Sequence, residues 1–204
     1  MADSLKVIAM LTMLVDHIGF VFFPEQIIWR IIGRLAFPLF AWGIVQGYNK
    51  TASLKRYVLR LLTAALVSQI PYVMLFGVRE LNIIFTLLWG LIVVHVWERF
   101  SPLLALLLCL PAERFMSYGI FGVFLILLMH VWQDNKNRLV MGVLAATIAY
   151  VVFKRVPVQI FCVLALPLIL NFQWSVSLPK YFAYLFYPGH LIALIVIRGL
   201  LSRL

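Results

Sequence analysis

Two ionisable side chains, Asp16 and His17, stand next to each other inside an apolar segment that runs from residue 5 to residue 23. A segment of this length can cross a bilayer, and a charged group near its centre costs roughly 2.5–3.5 kcal/mol on insertion scales. Such groups usually face a protein interior or a wet cavity and have a function there. A histidine can act as a general base near neutral pH, and a neighbouring carboxylate can orient it or pair with a cation.

Other polar residues fall at a similar depth if the N-terminus lies in the cytoplasm. At a rise of 1.5 Å per residue, His17 lies about 9 Å, Arg34 about 6 Å and His190 about 13 Å below the outer surface. Arg30 lies one helical turn above Arg34 on the same face, and Thr86 follows Asn82 at the start of a further apolar segment. The sequence therefore predicts one polar layer in the outer half of the membrane, made of Asp16, His17, Arg34, Asn82 and His190.

Each of these residues also has a purely structural interpretation. Asp16 could do no more than neutralise Arg34, because an unpaired charge within the membrane is costly. Asp16 and His17 point about 100° apart on a helix, so one faces the site and the other faces a neighbouring helix. His190 follows Pro188 and Gly189, which weaken the helix locally, and the pattern leaves its role open between structure and function.

The composition indicates which elements must position these side chains. The chain has 204 residues, is 65% hydrophobic and has a mean hydropathy of +1.06, whereas a soluble domain is about 45–50% apolar. We therefore predict an all-α, polytopic membrane protein with a single domain over residues 1–204. The net charge of +10 is explained by Lys and Arg at helix ends, so we expect contacts with membrane lipids and no nucleic acid. The predicted spans are 5–23, 30–47, 57–76, 82–98, 116–132, 138–153, 156–171 and 181–201.

The short apolar run at residues 101–111 decides the topology. Its length between two prolines is below the roughly 20 residues that a spanning helix needs, so we predict a re-entrant or interfacial segment. Under that assumption most of the 17 Lys and Arg residues lie on the cytoplasmic side, whereas a crossing segment makes the distribution nearly even. The charge distribution therefore favours eight spans with both termini in the cytoplasm, and nine spans are the alternative.

The loop from residue 48 to residue 60 is the densest in basic residues and is cytoplasmic in both topologies. It could bind the phosphates of a cofactor, or it could be only a topology signal that contacts anionic lipids. Its candidate phosphate ligands are Lys50, Lys55, Arg56 and Arg60. No metal-binding, P-loop or dinucleotide-binding motif occurs in the chain, so we expect no metal cofactor.

Several blocks of sequence together resemble the TraX family. They are LKVIAMLTMLVDHIG, GRLAFPLFAWGIVQGY, LNIIFTL, SYGIFGVFLILLMH and FAYLFYPGHLIAL, which occur in this order. Named members of the family acetylate the N-terminus of F-type conjugative pilin. The family is also similar to the transmembrane acyltransferases, which carry a basic residue ten residues before an intramembrane histidine, as Lys6 precedes His17 here. Arg30 and Arg34 before Pro38 resemble the arginine pair of those enzymes, although the spacing differs.

The resemblance implies acetyl transfer from cytoplasmic acetyl-CoA to an amine or hydroxyl in the membrane or on its outer side. By this resemblance His17 is the general base, Asp16 orients it or pairs with Arg34, and Arg34 stabilises the thioester or the oxyanion. The residues expected to line the site are Arg30, Asn82, Thr86, Tyr118, Tyr187 and His190. The expected acceptor is a pilin N-terminus, a small amine or a sugar, and the expected location is the bacterial inner membrane.

Two other functions fit the same residues. In a small proton-coupled transporter, Asp16, His17 and His190 would relay protons and Arg34 would bind an anion. In a non-catalytic assembly factor for pilin or another membrane peptide, the polar residues would hold helices together. The acetyltransferase places its base in the outer half of the membrane and holds the CoA phosphates on the inner side. Of the three functions, it alone predicts a channel through the protein for the pantetheine arm.

Overall fold

The computed structural model describes residues 3–171, 176–179 and 181–202. It is 82% helical, and no strand occurs within the described residues. The α-helices are α1 (Asp3–Phe22), α2 (Ile27–Gly33), α3 (Ala36–Lys50), α4 (Leu54–Phe76), α5 (Ile83–Arg99), α6 (Pro102–Leu107), α7 (Ala112–Phe115), α8 (Gly119–Val131), α9 (Lys136–Lys154), α10 (Ala165–Asn171) and α11 (Phe182–Leu201). A 3₁₀ helix, Pro157–Leu164, precedes α10.

Five helical segments are long and apolar enough to cross a membrane, which fits a membrane protein. They are α1, α2 with α3, α4, α9 and α11. Each of the eight predicted apolar segments corresponds to helix in the structure, but the predicted count of eight spans is not confirmed. Large apolar side chains on α4, such as Val67, Ile70 and Met74, are exposed, as expected of a surface that faces lipid.

The helices form a bundle whose two ends we name by α1, the Asp3 end and the Phe22 end. The helix pair α2–α3 returns to the Asp3 end, where Lys50 lines the same cavity as Lys6. The helix α4 then runs to the Phe22 end, where the ring of Phe76 lies 5.0 Å from that of Phe20. The helix α5 runs back, since Tyr48 at the end of α3 hydrogen-bonds His95.

Residues 101–115 carry the chain from the Asp3 end to the Phe22 end. They begin after α5 and reach Phe115, whose carbonyl accepts a hydrogen bond from the amide of Leu81 before α5. Midway, the indole N–H of Trp89 donates to the carbonyl of Leu108 at 2.7 Å and satisfies a carbonyl where α6 ends. Residues 101–115 thus run alongside α5 from one end of the bundle to the other as a broken helix. This path agrees with the alternative of nine spans, and the predicted re-entrant or interfacial segment is not confirmed.

This extra pass reverses the direction of everything that follows. The helix α8 runs to the Asp3 end, where His130 contacts Glu98, and α9 returns to pair Lys154 with Glu113. The helix α11 runs from the Asp3 end to the Phe22 end. The amide of Leu178, just before it, donates to the Asp3 carboxylate, and Arg198 in its last turn donates to carbonyls at the end of α4. The described termini thus lie at opposite ends, contrary to the prediction that both share one side.

The break between α2 and α3 lies one helical turn before Pro38. Pro38 cannot donate to the carbonyl of Arg34, so the helix is interrupted at residues 34–35. Close to the break, α1 and α2 approach each other at glycines. A Cβ on Gly33 would lie 2.0 Å from Oδ1 of Asp16, and one on Gly19 would lie 2.1 Å from Cβ of Trp29. These glycines let the backbone of α2 pass directly over the Asp16 side chain.

Candidate active site

A cavity of about 280 Å³ opens between α1, α2, α3 and the Phe22 ends of the neighbouring helices. We call it the histidine cavity. The predicted site residues that line it are Asp16, His17, Arg30, Arg34, Tyr118 and Tyr187. Tyr118 stacks on Phe37 with ring centroids 4.2 Å apart, which fixes its ring against the wall. The structure thus brings together six residues that the sequence spreads over four separate apolar segments.

Asp16 lies between two guanidinium groups. Its Oδ2 accepts from Nη1 of Arg30 at 2.9 Å, and its Oδ1 accepts from Nη2 of Arg34 at 3.1 Å. The three side chains are mostly buried. The sequence predicted the pairing of Asp16 with Arg34, and the second arginine adds a positive charge that the carboxylate alone does not neutralise. The cluster is therefore electropositive toward the cavity.

The two arginines differ in how many of their donors are already bound. Arg34 donates from Nε to the carbonyl of Arg30, from Nη1 to Oε1 of Gln159 and from Nη2 to Asp16. Its side chain is only 10% exposed. Among the described residues, the Arg30 side chain donates only to Asp16, and it is 33% exposed. Because a guanidinium has five N–H donors, Arg30 has more of them free for a ligand than Arg34 has.

His17 is joined to His190 by a hydrogen bond of 2.8 Å between Nδ1 of His17 and Nε2 of His190. Nδ1 of His190 in turn lies 2.9 Å from the carbonyl oxygen of Phe186. His190 is buried behind His17 and does not line the cavity. The structure therefore places His190 against His17 and not in the wall of this cavity, and its predicted role at the site stays a prediction.

Asn82 and Thr86 do not line the cavity either. The Asn82 side chain caps α5 by accepting from the amide of Ile84, and its amide group donates to the carbonyl of Ala65 on α4. Thr86 is fully buried, and its hydroxyl has no partner among the described residues. Both residues lie at the predicted depth but face a neighbouring helix, α4 for Asn82. Depth alone could not distinguish the two directions.

A second cavity, of about 440 Å³, lies at the Asp3 end. We call it the basic cavity, since it is lined by Lys6, Lys50, Arg56 and Arg60 together with Tyr57 and Tyr184. Three of the four predicted phosphate ligands line it, and Lys55 does not. Lys6 pairs with Asp3 at 2.6 Å, whereas Lys50, Arg56 and Arg60 form no ion pair with any described residue.

A third cavity, of about 120 Å³, shares wall residues with both of the others, and we call it the passage. It shares Met13, Phe40, Ile83 and Tyr187 with the histidine cavity, and Lys6, Gly43, Tyr57 and Tyr184 with the basic cavity. Its remaining walls are mainly aliphatic, including Leu61 and Leu87. From Lys6 to His17 the distance along α1 is about 16 Å at 1.5 Å per residue.

The sequence analysis missed several residues of the histidine cavity. Gln159 is buried and holds Arg34, and Glu80 and Tyr150 line the wall. Gln159 could have been noticed as an amide inside the apolar segment 156–171, whereas nothing in the sequence places Tyr150 near Asp16. Within the described ranges, no group of three or more His, Cys, Asp and Glu residues could hold a metal ion.

The fold and the cavity define the class first: a helical membrane protein with a cavity of about 280 Å³ inside its bundle that is lined by charged side chains. The comparison with protein families then gives the family. Residues 1–198 match the family described as TraX protein, and the chain belongs to the TraX family.

Two curated proteins are similar to this chain. The probable fimbrial assembly protein FimC, serogroup H1, of Dichelobacter nodosus is 26% identical, over 93% of this chain and 92% of its own length. A protein of Rickettsia prowazekii that is named as uncharacterised is 49% identical over 47 residues, which is 23% of this chain and 18% of that protein. No solved structure matches the chain significantly.

Proposed function

We propose that this protein is a membrane acetyltransferase that moves an acetyl group from acetyl-CoA to an amine or hydroxyl acceptor. In this proposal the Asp3 end faces the cytoplasm of a bacterium and the protein lies in the inner membrane. The nucleotide phosphates bind in the basic cavity, and the pantetheine arm extends through the passage. The thioester then lies beside His17 in the histidine cavity.

The observation that carries the proposal is the series of cavities from Lys6 to His17. A cluster of unpaired cations suits the phosphates of CoA, and a narrow, mainly aliphatic passage suits an extended arm. The separation of about 16 Å along α1 is of the order that such an arm covers. A transporter or a helix-packing role does not require a basic cavity at one end and a polar cavity at the other.

The chemistry needs a base and a positive group. The acceptor nitrogen attacks the thioester carbonyl, a C–N bond forms, and His17 takes the proton that the nitrogen loses. The C–S bond then breaks, and the CoA thiolate takes up a proton, so that the acetylated acceptor and CoA leave. The carbonyl oxygen becomes negative between these steps, and a guanidinium that lines the cavity stabilises it.

The arginine pair divides this work in our proposal. Arg30 has unbound N–H donors and is the group that binds the oxyanion, whereas Arg34 holds Asp16 in place through its three bound nitrogens. This differs from the sequence analysis, which gave the oxyanion to Arg34. Arg30→Lys keeps the charge but loses the planar fork, and we expect kcat to fall about 10²-fold.

The acceptor is proposed from the family and the relative. A relative that matches over 92% of its own length is named as a probable fimbrial assembly protein, and the family resemblance implies pilin acetylation. A pilin N-terminus is therefore the first acceptor to test, followed by small amines and sugars. The histidine cavity would present the thioester to an acceptor that arrives from the Phe22 end.

The test uses purified protein in lipid nanodiscs with labelled acetyl-CoA and a pilin peptide. We expect acetyl transfer and CoA release that His17→Ala lowers by about 10²–10⁴-fold. His95→Ala is the matched control, since His95 lies at the Asp3 end and lines neither cavity. A folded protein that binds no CoA by calorimetry would refute the proposal.

A second function, assembly of pilin without catalysis, is favoured by the relative's printed name. It predicts binding of a pilin peptide that neither acetyl-CoA nor His17→Ala changes. Acetylation of the bound peptide distinguishes the two functions, because an assembly factor leaves the peptide mass unchanged. Proton-coupled transport is tested by reconstituting the protein into liposomes and measuring anion uptake under a pH gradient. We expect no uptake, whereas a transporter would take up the anion.

A further inference from the structure

We infer that His190 is a positioning residue that fixes which nitrogen of His17 carries the proton. The inference rests on the proposed function, in which His17 is the general base. The position of the proton decides whether the nitrogen of His17 that faces the histidine cavity can act as that base. It follows from the chain of contacts that runs from the carbonyl of Phe186 through His190 to His17. It has a readout that does not depend on activity.

The carbonyl of Phe186 can only accept a hydrogen bond. Because it lies 2.9 Å from Nδ1 of His190, that nitrogen carries a proton. In a neutral imidazole the other nitrogen then has a lone pair. Nε2 of His190 is therefore an acceptor, and its partner at 2.8 Å, Nδ1 of His17, is the donor.

The geometry of the two rings agrees with a hydrogen bond in their common plane. The ring centroids of His17 and His190 are 5.0 Å apart and the planes differ by 18°. With nitrogens only 2.8 Å apart, the rings meet edge to edge and do not overlap face to face. Phe76 packs edge-on against His17 at 4.9 Å, which limits rotation of the ring away from this plane.

The consequence concerns Nε2 of His17. Its Nδ1 carries the proton, so Nε2 carries the lone pair, and no described residue hydrogen-bonds to it. His17 lines the cavity, and Nε2 is the nitrogen left to accept a proton from an acceptor bound there. The opposite tautomer would offer a donor at this position and could not act as a base.

The chain also accommodates the charge that His17 gains. When Nε2 takes a proton, the positive ring donates more strongly from Nδ1 to Nε2 of His190. The proton can shift to His190, which then donates from both nitrogens, to His17 and to the Phe186 carbonyl. In this shift the Nδ1–H bond of His17 breaks and an Nε2–H bond of His190 forms. The proton returns to Nδ1 of His17 when the CoA thiolate takes up the proton on Nε2 of His17. A carboxylate orienter is therefore not needed, and Asp16 remains with its arginines.

The first experiment reads the tautomer directly, without substrate. The chain has four histidines, so ¹⁵N-histidine labelling of protein in micelles gives few ring signals, which His95→Gln and His130→Gln help to assign. We expect His17 to carry its proton on Nδ1, and His190→Phe to shift it toward the Nε2-protonated form that predominates for free histidine. A wild-type His17 protonated on Nε2, or a tautomer unchanged in His190→Phe, would overturn the inference.

The second experiment compares two substitutions of His190 in the acetyl transfer assay. His190→Phe keeps a ring against Phe186 but offers no acceptor, and we expect kcat to fall about 10²-fold with the KM for acetyl-CoA within about twofold. His190→Gln can return an amide oxygen close to the position of Nε2 and should recover most of that loss. Equal kcat for the Phe and Gln variants would contradict the positioning role.

The two experiments separate the inference from the proposed function. In one outcome the protein does not acetylate, but His17 carries its proton on Nδ1 only while His190 is present. The proposed function then fails and the positioning role of His190 stands. In the other outcome the protein acetylates, but the tautomer of His17 does not depend on His190. The positioning role then fails and the proposed function stands.

Discussion

The histidine cavity and the basic cavity hold their charges in opposite ways. In the histidine cavity, Asp16 binds Arg30 and Arg34, and Gln159 holds Arg34 from the other side. In the basic cavity, Lys50, Arg56 and Arg60 have no acidic partner among the described residues. Bound charges keep a fixed geometry, whereas unpaired cations at a surface cavity are free to bind an anion. The first arrangement suits chemistry and the second suits recognition of a ligand.

The largest expected difference concerns a single carboxylate in each region. Asp16→Asn leaves two mostly buried guanidinium groups without their counter-charge, so we expect the free energy of unfolding to fall by about 3–5 kcal/mol. Asp3→Asn, the matched control, breaks the exposed pair with Lys6 and should cost at most about 1 kcal/mol. The measurement is denaturant unfolding in micelles. Equal losses for the two variants would show that the Asp16 cluster is not special.

The sequence predicted the depth of the polar side chains better than the direction in which they point, for a physical reason. Buried charge in an apolar segment is conspicuous, so Asp16, His17 and Arg34 could be grouped from depth and cost alone. Direction around the helix axis was not accessible in the same way. Asn82 lies at the same depth but faces α4, where it caps α5 and bonds to Ala65.

The predicted eight-span topology is not confirmed, for a different reason. The run at 101–111 is too short for a continuous spanning helix, and that is correct, since α6 ends at Leu107. The chain nevertheless passes along α5, because turns replace the helix and Trp89 satisfies the carbonyl of Leu108. Such a contact joins residues 19 positions apart and cannot be read from hydropathy. The eight apolar segments themselves were predictable, since each is a long run with polar ends.

The close packing of the histidine cavity gives the next prediction. In Gly33→Ala the new Cβ would lie 2.0 Å from Oδ1 of Asp16, so the carboxylate must move away from its arginines. We expect a loss of about 1–3 kcal/mol in unfolding free energy. Gly199→Ala is the control, since no atom lies within 4 Å of its added Cβ, and it should be neutral or slightly stabilising. A neutral Gly33→Ala would mean that the cluster tolerates displacement of Asp16.

The basic cavity should respond in binding and not in stability. In Arg56→Gln with Arg60→Gln we expect the KM for acetyl-CoA to rise about tenfold, which is about 1.4 kcal/mol, with kcat unchanged. Lys55→Gln removes one positive charge from the same helix but lies outside the cavity, and it should leave KM within about twofold. The effect of the double variant should weaken as salt is raised, since exposed charges are screened. A fall in kcat without a change in KM would move the phosphates elsewhere.

The smallest effect on stability is expected for the exposed ion pair of Glu113 and Lys154 near the histidine cavity. It tests whether burial of a charged pair, and not its closeness to the cavity, sets its contribution to stability. Hydrogen bonding from Lys154 holds the pKa of Glu113 below its ordinary value of 4.5, and the amide of Ile120 adds a second bond. A lowered pKa in the folded state stabilises the fold above pH 4.5 and is lost as the pH falls through the folded-state pKa. We expect Glu113→Gln to cost less than about 1 kcal/mol at pH 7, because the pair is exposed, and to cost nothing below the folded-state pKa.

The control is Glu25→Gln. Glu25 is an exposed carboxylate at the same end and forms no ion pair with any described residue, so its replacement should cost less than that of Glu113 at pH 7. A loss as large as that of Asp16→Asn would contradict the distinction between bound, buried charges and exposed ones.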